Sequence, residues 1–171
     1  MRDAGPTIRE ERPFDHAAIH AVNTAAFDTP AEADLVDTLR TRAVPYVSLV
    51  AELDGEIAGH ILFTPVTLTD PPGLVMGLAP LAVCPDRQRQ GVGAALVREG
   101  LTRLRQLGAI AVVVLGHPDY YPRFGFEAAS RFGIRSEYDV PEDAFMLIEL
   151  VPGSLDGVHG TARYHPAFAA V

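Results

Sequence analysis

The order of apolar and polar positions in the first part of the chain predicts one short strand followed by two helices. We interpret Thr7 to Glu11 as the strand. Helix one follows with Asp15 as its N-cap, and its apolar face contains Ala18, Ile19, Val22 and Ala26. Helix two begins at Thr29-Pro30-Ala31-Glu32, which has the capping-box pattern, and runs to about Arg42.

The middle of the chain has the composition of a β-meander. Val47 to Leu53 and Ile57 to Leu68 are apolar, β-branched segments joined by Asp54-Gly55, a pair that favours a tight turn with positive φ. A further strand is predicted from Leu74 to Cys84. We therefore expect three antiparallel strands in this region.

A long helix and a buried strand are predicted next. Gly91 to Leu107 has helical spacing, and Gly108 has the position of the glycine that ends a helix. Ala109 to Leu115 contains seven consecutive apolar residues, which is typical of a central strand buried on both faces. A strand, a helix and a buried strand in this order imply a parallel crossover.

Two more antiparallel strands are expected near the C-terminus, at Phe145 to Val151 and Thr161 to Tyr164. The predicted fold class is α/β, with a mixed, mostly antiparallel central sheet flanked by helices and one parallel crossover around helix 91–107. A chain of 171 residues that is 48% hydrophobic can bury one sizeable core, so we expect a single domain over residues 1–171.

Charge and cysteine content exclude several classes of protein. The net charge of −8 argues against general binding to nucleic acid or to anionic membranes. Cys84 is the only cysteine, so an internal disulfide is excluded, and no apolar run approaches the roughly 18 residues of a membrane span. A cytoplasmic protein is expected, and exposed strands near the C-terminus leave a homodimer open.

The turn from Gln88 to Gly93 carries the strongest chemical signal. It follows a strand and opens a helix, so several backbone N–H groups without helical acceptors can converge on an anion. Gly91 and Gly93 lack Cβ atoms and let a phosphate approach the backbone. Arg87 and Arg89 add positive charge. The pattern predicts an anion-binding turn.

Two nucleotide-binding alternatives fit this turn less well. A dinucleotide fingerprint requires a third glycine where this chain has Leu96. A P-loop requires a lysine, and the chain contains none. A glycine-rich helix start without any ligand is the structural alternative.

Two longer segments extend the pattern of the glycine turn. Leu81 to Leu96 contains an Arg/Gln-x-x-Gly-x-Gly/Ala core, and Tyr121 to Phe126 has the order Tyr-x-x-x-Gly-Phe. Both resemble the acetyl-CoA signature segments of the GNAT superfamily of N-acetyltransferases. Three further segments resemble its YhbS-like subgroup: Glu32 to Arg40, Gly59 to Phe63 and Gly160 to Phe168.

The resemblance implies direct transfer of an acetyl group from acetyl-CoA to a primary amine on a small molecule or peptide. Leu81, Ala82 and Val83 would pair with the pantetheine amides through their backbone. The pyrophosphate would be bound by backbone amides of Gln88, Arg89, Gln90, Gly91, Val92, Gly93 and Ala94. No metal is expected, and a CoA-binding sensor without transfer activity is the alternative function.

The resemblance also places Tyr121 where many family members have a tyrosine that protonates the departing thiolate. The unusual segment His117-Pro118-Asp119 before it leaves Tyr120 and Tyr121 as alternatives for this role. His117 follows the buried central strand and is a candidate base, because residues beyond strand carboxyl ends tend to line the crevice of α/β sheets.

Other polar residues have a structural interpretation. His60 lies in an apolar strand and is interpreted as a hydrogen-bonded core histidine. The GNAT resemblance places Glu32 near the region that contacts acceptors, but the capping box of helix two explains this residue fully and is the preferred interpretation. Cys84 has no base paired with it in the sequence, so direct transfer is preferred over a covalent acyl-enzyme.

Overall fold

Nine strands and three α-helices lie within residues 5–70 and 72–171, the part of the chain that the computed structural model describes. The helices are α1 (His16–Phe27), α2 (Ala31–Arg42) and α3 (Val92–Leu107). The strands are β1 (Thr7–Glu10), β2 (Val47–Leu53), β3 (Glu56–Val66), β4 (Val75–Val83), β5 (Ala111–Leu115), β6 (Glu127–Ala128), β7 (Ile134–Ser136), β8 (Phe145–Glu149) and β9 (Gly160–Ala162).

Seven of these strands form one mixed sheet in the order β1-β2-β3-β4-β5-β8-β6. All its neighbours are antiparallel except β4 and β5, which are parallel and are connected through α3. The predicted α/β class, the antiparallel middle strands and the parallel crossover are therefore confirmed.

Local turn chemistry sets two of the predicted boundaries. Asp54 and Gly55 have φ of 54° and 79°, which is the left-handed backbone required by a tight hairpin turn. Gly108 has φ of 93° and ends α3, where its N–H donates to carbonyls of the last helical turn. Both predictions from the sequence are confirmed.

Apolar layers cover both faces of the sheet. α3 packs on one face, where Leu96 and Leu104 are fully buried beside Phe63. α1 and α2 cover the other face together with the C-terminal segment, through residues such as Leu39 and Phe168. Residues 111–114 of β5 lie between the two layers and are buried, as predicted, whereas Leu115 at the end of this strand is exposed. None of the described helices is long and apolar enough to span a membrane.

The prediction for the last strand was wrong in its pairing. β9 pairs in parallel with β7 in a separate two-stranded sheet, and Arg163, the residue after β9, forms an isolated antiparallel bridge with Thr67. β6 and β7 were not predicted. These segments have two or three residues each, so they carry too few positions for an alternating pattern to be recognised.

Asp15 is the N-cap residue of α1, as predicted, but its side chain makes no capping hydrogen bond, and the predicted N-cap of α2 was wrong. The Asp15 carboxylate turns away from α1 and accepts hydrogen bonds from Arg12 N at 2.6 Å and Arg9 Nη1 at 2.7 Å. The N-cap of α2 is Pro30, with no side-chain cap, and Thr29 Oγ1 accepts only from Ala31 N at 3.3 Å. The reciprocal capping box is therefore absent from α2.

Candidate active site

A gap opens between the two parallel strands at their carboxyl ends. β4 pairs with β5 only from Val75 to Leu78, opposite Ala111 to Val114. Beyond Leu78, the described residues of β4 continue to pair with β3 on one side, up to Val83 opposite Gly59. The other edge of this segment has no strand partner among the described residues and can pair with an extended ligand, although the Val83 carbonyl there accepts from Gln88 Nε2 at 3.2 Å.

An irregularity in β4 helps to form this gap. The register between β3 and β4 shifts between Ile61 and Phe63, whose partners are Leu81 and Leu78. Ala79 and Pro80 therefore occupy the interval that Leu62 alone fills on β3. Such a bulge bends its strand and increases the local twist, which turns the end of β4 away from β5.

A cleft of about 1090 Å³ occupies the gap. Most residues predicted to bind the donor or to act in catalysis line this cleft. They are Leu81, Val83, Gln88, Arg89, Gly91, Val92, Gly93, Ala94, His117 and Tyr121. Ala82 and Gln90 are not in the lining. The Ala82 side chain is buried, and Gln90 Nε2 donates to the carbonyl of Asp86 at 3.3 Å.

The glycine turn has the backbone geometry of an anion-binding turn. Arg89 and Gly91 have positive φ, 63° and 82°. The hydrogen bond from Ala95 N to Gly91 O, 3.0 Å, begins the helical ladder, and no side chain caps α3. The preceding N–H groups therefore remain available at the positive end of the helix dipole.

Tyr120 closes over this turn. A Cβ atom on Gly93 would lie 3.0 Å from the Tyr120 hydroxyl, so any larger residue there would require this hydroxyl to shift. Arg123 holds the tyrosine in place, because its Nε donates to Tyr120 O at 2.8 Å and its guanidinium lies 4.5 Å from the ring centroid.

Tyr121 lies at the centre of an aromatic cluster and also lines the cleft. Its ring makes edge-to-face contacts with Tyr120 and Phe126, at centroid distances of 5.1 and 5.7 Å. Burial raises the pKa of Tyr121 above its usual value, and the nearby Tyr120 adds to this effect. Burial also raises the pKa of Tyr120. Both phenols are therefore protonated at neutral pH.

The two histidines singled out in the sequence occupy very different environments. His117 is exposed in the cleft lining, just beyond the end of β5. His60 is fully buried, with Nε2 2.8 Å from Ser48 Oγ and Nδ1 3.1 Å from Asn23 Nδ2. Burial, and then the charge of Arg40, lowers the pKa of His60 to about 3. His60 is the neutral core residue that the sequence predicts.

The charges along the cleft are separated. Arg87, Arg89 and Arg123 line the end beside the glycine turn, whereas Glu32 is the one acidic side chain among the described residues of the lining. Glu32 Oε2 is out of contact with solvent and has no hydrogen-bond partner there. The sequence-based preference for a capping role of Glu32 over a place near the acceptor was wrong, because α2 begins without that cap and Glu32 lines the cleft.

One group of possible metal ligands among the described residues lies outside the cleft. Ligand atoms of His20, Asp34 and Asp37 lie within 4.8 Å of one another at the junction of α1 and α2. Their existing contacts explain this proximity, since His20 Nε2 is 2.9 Å from Asp34 and Arg40 Nη1 donates to Asp37 at 2.8 Å. Both aspartates are exposed.

A sequence profile of the acetyltransferase (GNAT) family matches residues 11–126, which include the gap, the glycine turn and both tyrosines. The chain belongs to the GNAT acetyltransferase family. A GNAT relative, the uncharacterized N-acetyltransferase YhbS of Escherichia coli K12, is 40% identical over 162 residues, which are 94% of this chain and 97% of YhbS. The uncharacterized N-acetyltransferase YjhQ of the same strain is 46% identical over 135 residues, 75% of this chain and 74% of YjhQ.

Solved GNAT structures agree in fold over nearly the whole chain. E. coli YhbS in complex with CoA superposes with a TM-score of 0.91 at 37% identity, covering 99% of this chain and 94% of YhbS. A GNAT acetyltransferase from Brucella melitensis in complex with acetyl-CoA gives 0.78 at 38% identity, covering 98% and 99%. The predicted GNAT resemblance and its YhbS-like character are confirmed, and the protein is an N-acetyltransferase.

Proposed function

We propose that this N-acetyltransferase uses acetyl-CoA as donor and transfers the acetyl group directly to a primary amine of a small molecule or peptide. The observation that carries the proposal is the gap between β4 and β5. This gap joins the glycine turn at one end of the cleft to Glu32 at the other. Donor and acceptor can thus meet in one space, which makes the reaction effectively unimolecular.

The proposed donor site is formed mainly by backbone groups. Leu81 and Val83 present backbone groups on the open edge of β4, where an extended pantetheine chain can add like a further strand, whereas the backbone of Ala82 between them pairs with His60 of β3. The N–H groups of residues 88–94 would bind the pyrophosphate, and Arg89 would add charge. This arrangement requires no metal ion. That YhbS and the B. melitensis protein were solved with CoA and acetyl-CoA supports it.

Tyr121 is the proposed general acid. Its phenol is protonated at neutral pH, and a donor beside the departing thiolate stabilises the charge that develops as the C–S bond breaks. Tyr120, which also lines the cleft and whose hydroxyl lies beside Gly93, is the alternative. His117 is the proposed base, acting directly or through water on an amine that enters the cleft.

A cytoplasmic location is proposed from the single cysteine. A homodimer stays a prediction from the sequence.

Thermal unfolding with acetyl-CoA, with NAD as the control, tests the donor site. A ligand at about a hundred times its Kd stabilises the folded state by about 2.7 kcal/mol, so the unfolding midpoint should rise with acetyl-CoA alone. Release of free thiol in the presence of primary amines then tests transfer. Binding without thiol release across a broad amine panel would contradict transfer and favour the CoA-sensor alternative.

A further inference from the structure

A second cavity of about 420 Å³ adjoins the cleft on the side of the C-terminal segment. We call it the aromatic chamber because Tyr138, Tyr164 and Phe168 line it. The residues that it shares with the cleft are Leu78, Ala79, Leu115, Phe168 and Val171. A molecule in the cleft therefore has an adjacent space into which a substituent can extend.

The chamber has an apolar, aromatic lining without any charged side chain among the described residues. The Tyr138 and Tyr164 rings are stacked with centroids 6.2 Å apart, and Phe168 packs on Tyr164 at 5.3 Å. Such a surface favours an apolar occupant. A cavity of roughly 150 Å³ can bind benzene, so this volume accepts an aromatic ring with an alkyl chain.

Glu32 supplies the opposite chemistry in the adjoining cleft. It lies on the first turn of α2 and lines the cleft together with Phe27 and Leu35. Because its Oε2 is buried without a partner, an ammonium group that donates a hydrogen bond to it would satisfy a costly unpaired acceptor. The arginines at the other end of the cleft disfavour a cation there, so the charge pattern orients the amine.

We propose that the acceptor is a primary amine with an aryl or bulky alkyl group, whose ammonium group binds Glu32 and whose apolar group fills the aromatic chamber. The inference rests on the proposed function. The transfer forms a C–N bond and breaks the C–S bond. Of the two protons that the ammonium loses, one is retained on the CoA thiol and one goes to solvent.

A pair of amines tests the chamber. With acetyl-CoA saturating, we expect kcat/KM for 2-phenylethylamine to exceed that for ethylamine by at least about tenfold, because even one methylene in an apolar pocket is worth about 10-fold or more. Free-thiol release gives kcat/KM, and calorimetric titration of each amine into the CoA complex gives its Kd. Equal kcat/KM values for the two amines would overturn the proposal.

Glu32→Gln tests the ammonium site without changing the size of the side chain. We expect KM for 2-phenylethylamine to rise by about tenfold, as for the loss of a charge-assisted hydrogen bond, with KM for acetyl-CoA unchanged. Asp34→Asn is the matched control, since Asp34 lies on the same helix but outside the cleft lining. An unchanged amine KM in Glu32→Gln would contradict the assignment.

Two neighbouring alanines provide a steric test that leaves the core intact. Ala169 lines the chamber and Ala170 does not, and both are exposed on the 3₁₀ helix Pro166–Ala170. We expect Ala169→Trp to lower kcat/KM for 2-phenylethylamine about tenfold and to spare ethylamine, whereas Ala170→Trp changes neither. Equal effects of the two tryptophans would exclude the chamber as the binding space.

The failure of this inference can be distinguished from the failure of the proposed function. If 2-phenylethylamine neither binds the CoA complex nor reacts at millimolar concentration, the inference is overturned. The proposed function would still stand if acetyl-CoA raises the unfolding midpoint and another amine accepts the acetyl group. If acetyl-CoA does not raise the unfolding midpoint and no amine accepts the acetyl group, the proposed function itself is contradicted.

Discussion

The two ends of the cleft are constructed from different parts of the chain. The proposed donor end comes from one continuous segment, β4 and the start of α3, and presents mainly backbone groups. The proposed acceptor end consists of individual side chains, including Phe27 and Glu32 near the start of the chain and Phe168 near its end. These side chains meet because α2 packs against the C-terminal segment.

This difference has a functional consequence. A site made of backbone groups tolerates changes in most of its side chains, except where glycine permits the necessary approach. A site made of side chains from separate elements changes its specificity with single substitutions. One scaffold can therefore keep the same donor while it accepts different amines.

The largest effect on catalysis is expected from a substitution of Tyr121, the proposed general acid. Tyr121→Phe should lower kcat by about a hundredfold or more, because a positioned general acid contributes about 10²–10⁴-fold. Acetyl-CoA binding should be retained, since the phenol is not part of the glycine turn. Steady-state thiol release and thermal shift measure the two properties.

Tyr120→Phe is the control for that substitution, since Tyr120 packs edge-to-face on Tyr121 and lies beside Gly93. We expect its kcat to fall by less than about tenfold. A larger loss in Tyr120→Phe than in Tyr121→Phe would exchange the two roles.

Acetyl-CoA binding at the donor end should depend on one backbone position, Gly91. Gly91 and Gly108 flank α3 with φ of 82° and 93°, and a Cβ atom added at either glycine would meet no other atom within 4 Å. Alanine at either site should cost a similar 1–2 kcal/mol of stability, roughly the penalty of the left-handed backbone. Only Gly91→Ala should weaken acetyl-CoA binding, by about tenfold, because it distorts the anion-binding turn.

Calorimetry of acetyl-CoA binding to both alanine variants measures this difference. Similar Kd values for Gly91→Ala and Gly108→Ala would mean that the turn is only a helix start, and the donor end would lose its assignment.

A smaller effect is expected from the charge at the donor end. Arg89→Gln should raise the Kd of acetyl-CoA about threefold to fivefold at low salt, and the difference should shrink in 0.5 M salt by screening (roughly a 3–5 Å Debye length). The amine KM should not change. Arg131→Gln is the control, because Arg131 is exposed, lies outside the cleft lining and pairs with Glu127. Equal effects of the two variants would indicate only a general change in charge.

The smallest effect on catalysis is expected from a substitution of His60. The His60 ring contacts Asn23 of α1 and Ser48 of β2, and so connects these two elements. Its pKa is about 3 in the folded protein and roughly 6.5 when unfolded. Below about pH 6.5 the unfolded chain therefore binds a proton that the folded chain does not. The free energy of unfolding should fall by up to about 1.4 kcal/mol per pH unit as the pH is lowered toward 4.5.

Urea unfolding between pH 7.5 and 4.5 measures this slope. His60→Gln should be less stable at pH 7 but should have a flatter pH dependence, whereas His159→Gln, at an exposed position, should keep the original slope. An equal slope in His60→Gln would assign the pH dependence to other groups.

Much of the donor end could be predicted because its signals are local. Asp54-Gly55 predicts its hairpin, Gly108 predicts the end of α3, and the glycine turn predicts the anion-binding backbone. Each depends on φ angles or N–H groups within a few residues, which the sequence specifies directly.

The acceptor end could not be predicted in the same way. The capping-box pattern at Thr29 and Glu32 was a plausible local signal, but α2 begins without that box and Glu32 lines the cleft instead. The pairing of β9 with β7 was likewise missed because strands of three residues carry no readable period.

By itself, the sequence determined the α/β class, the crossover through α3, the glycine turn and the identity of the GNAT family. Only the tertiary structure decided where β4 leaves β5, which tyrosine lies beside Gly93, and which carboxylate remains unpaired in the cleft. The physical reason is the separation along the sequence of the residues that determine each feature. Turns and helix ends depend on neighbouring residues, whereas the charge and shape of a cleft depend on side chains that packing brings together from distant positions.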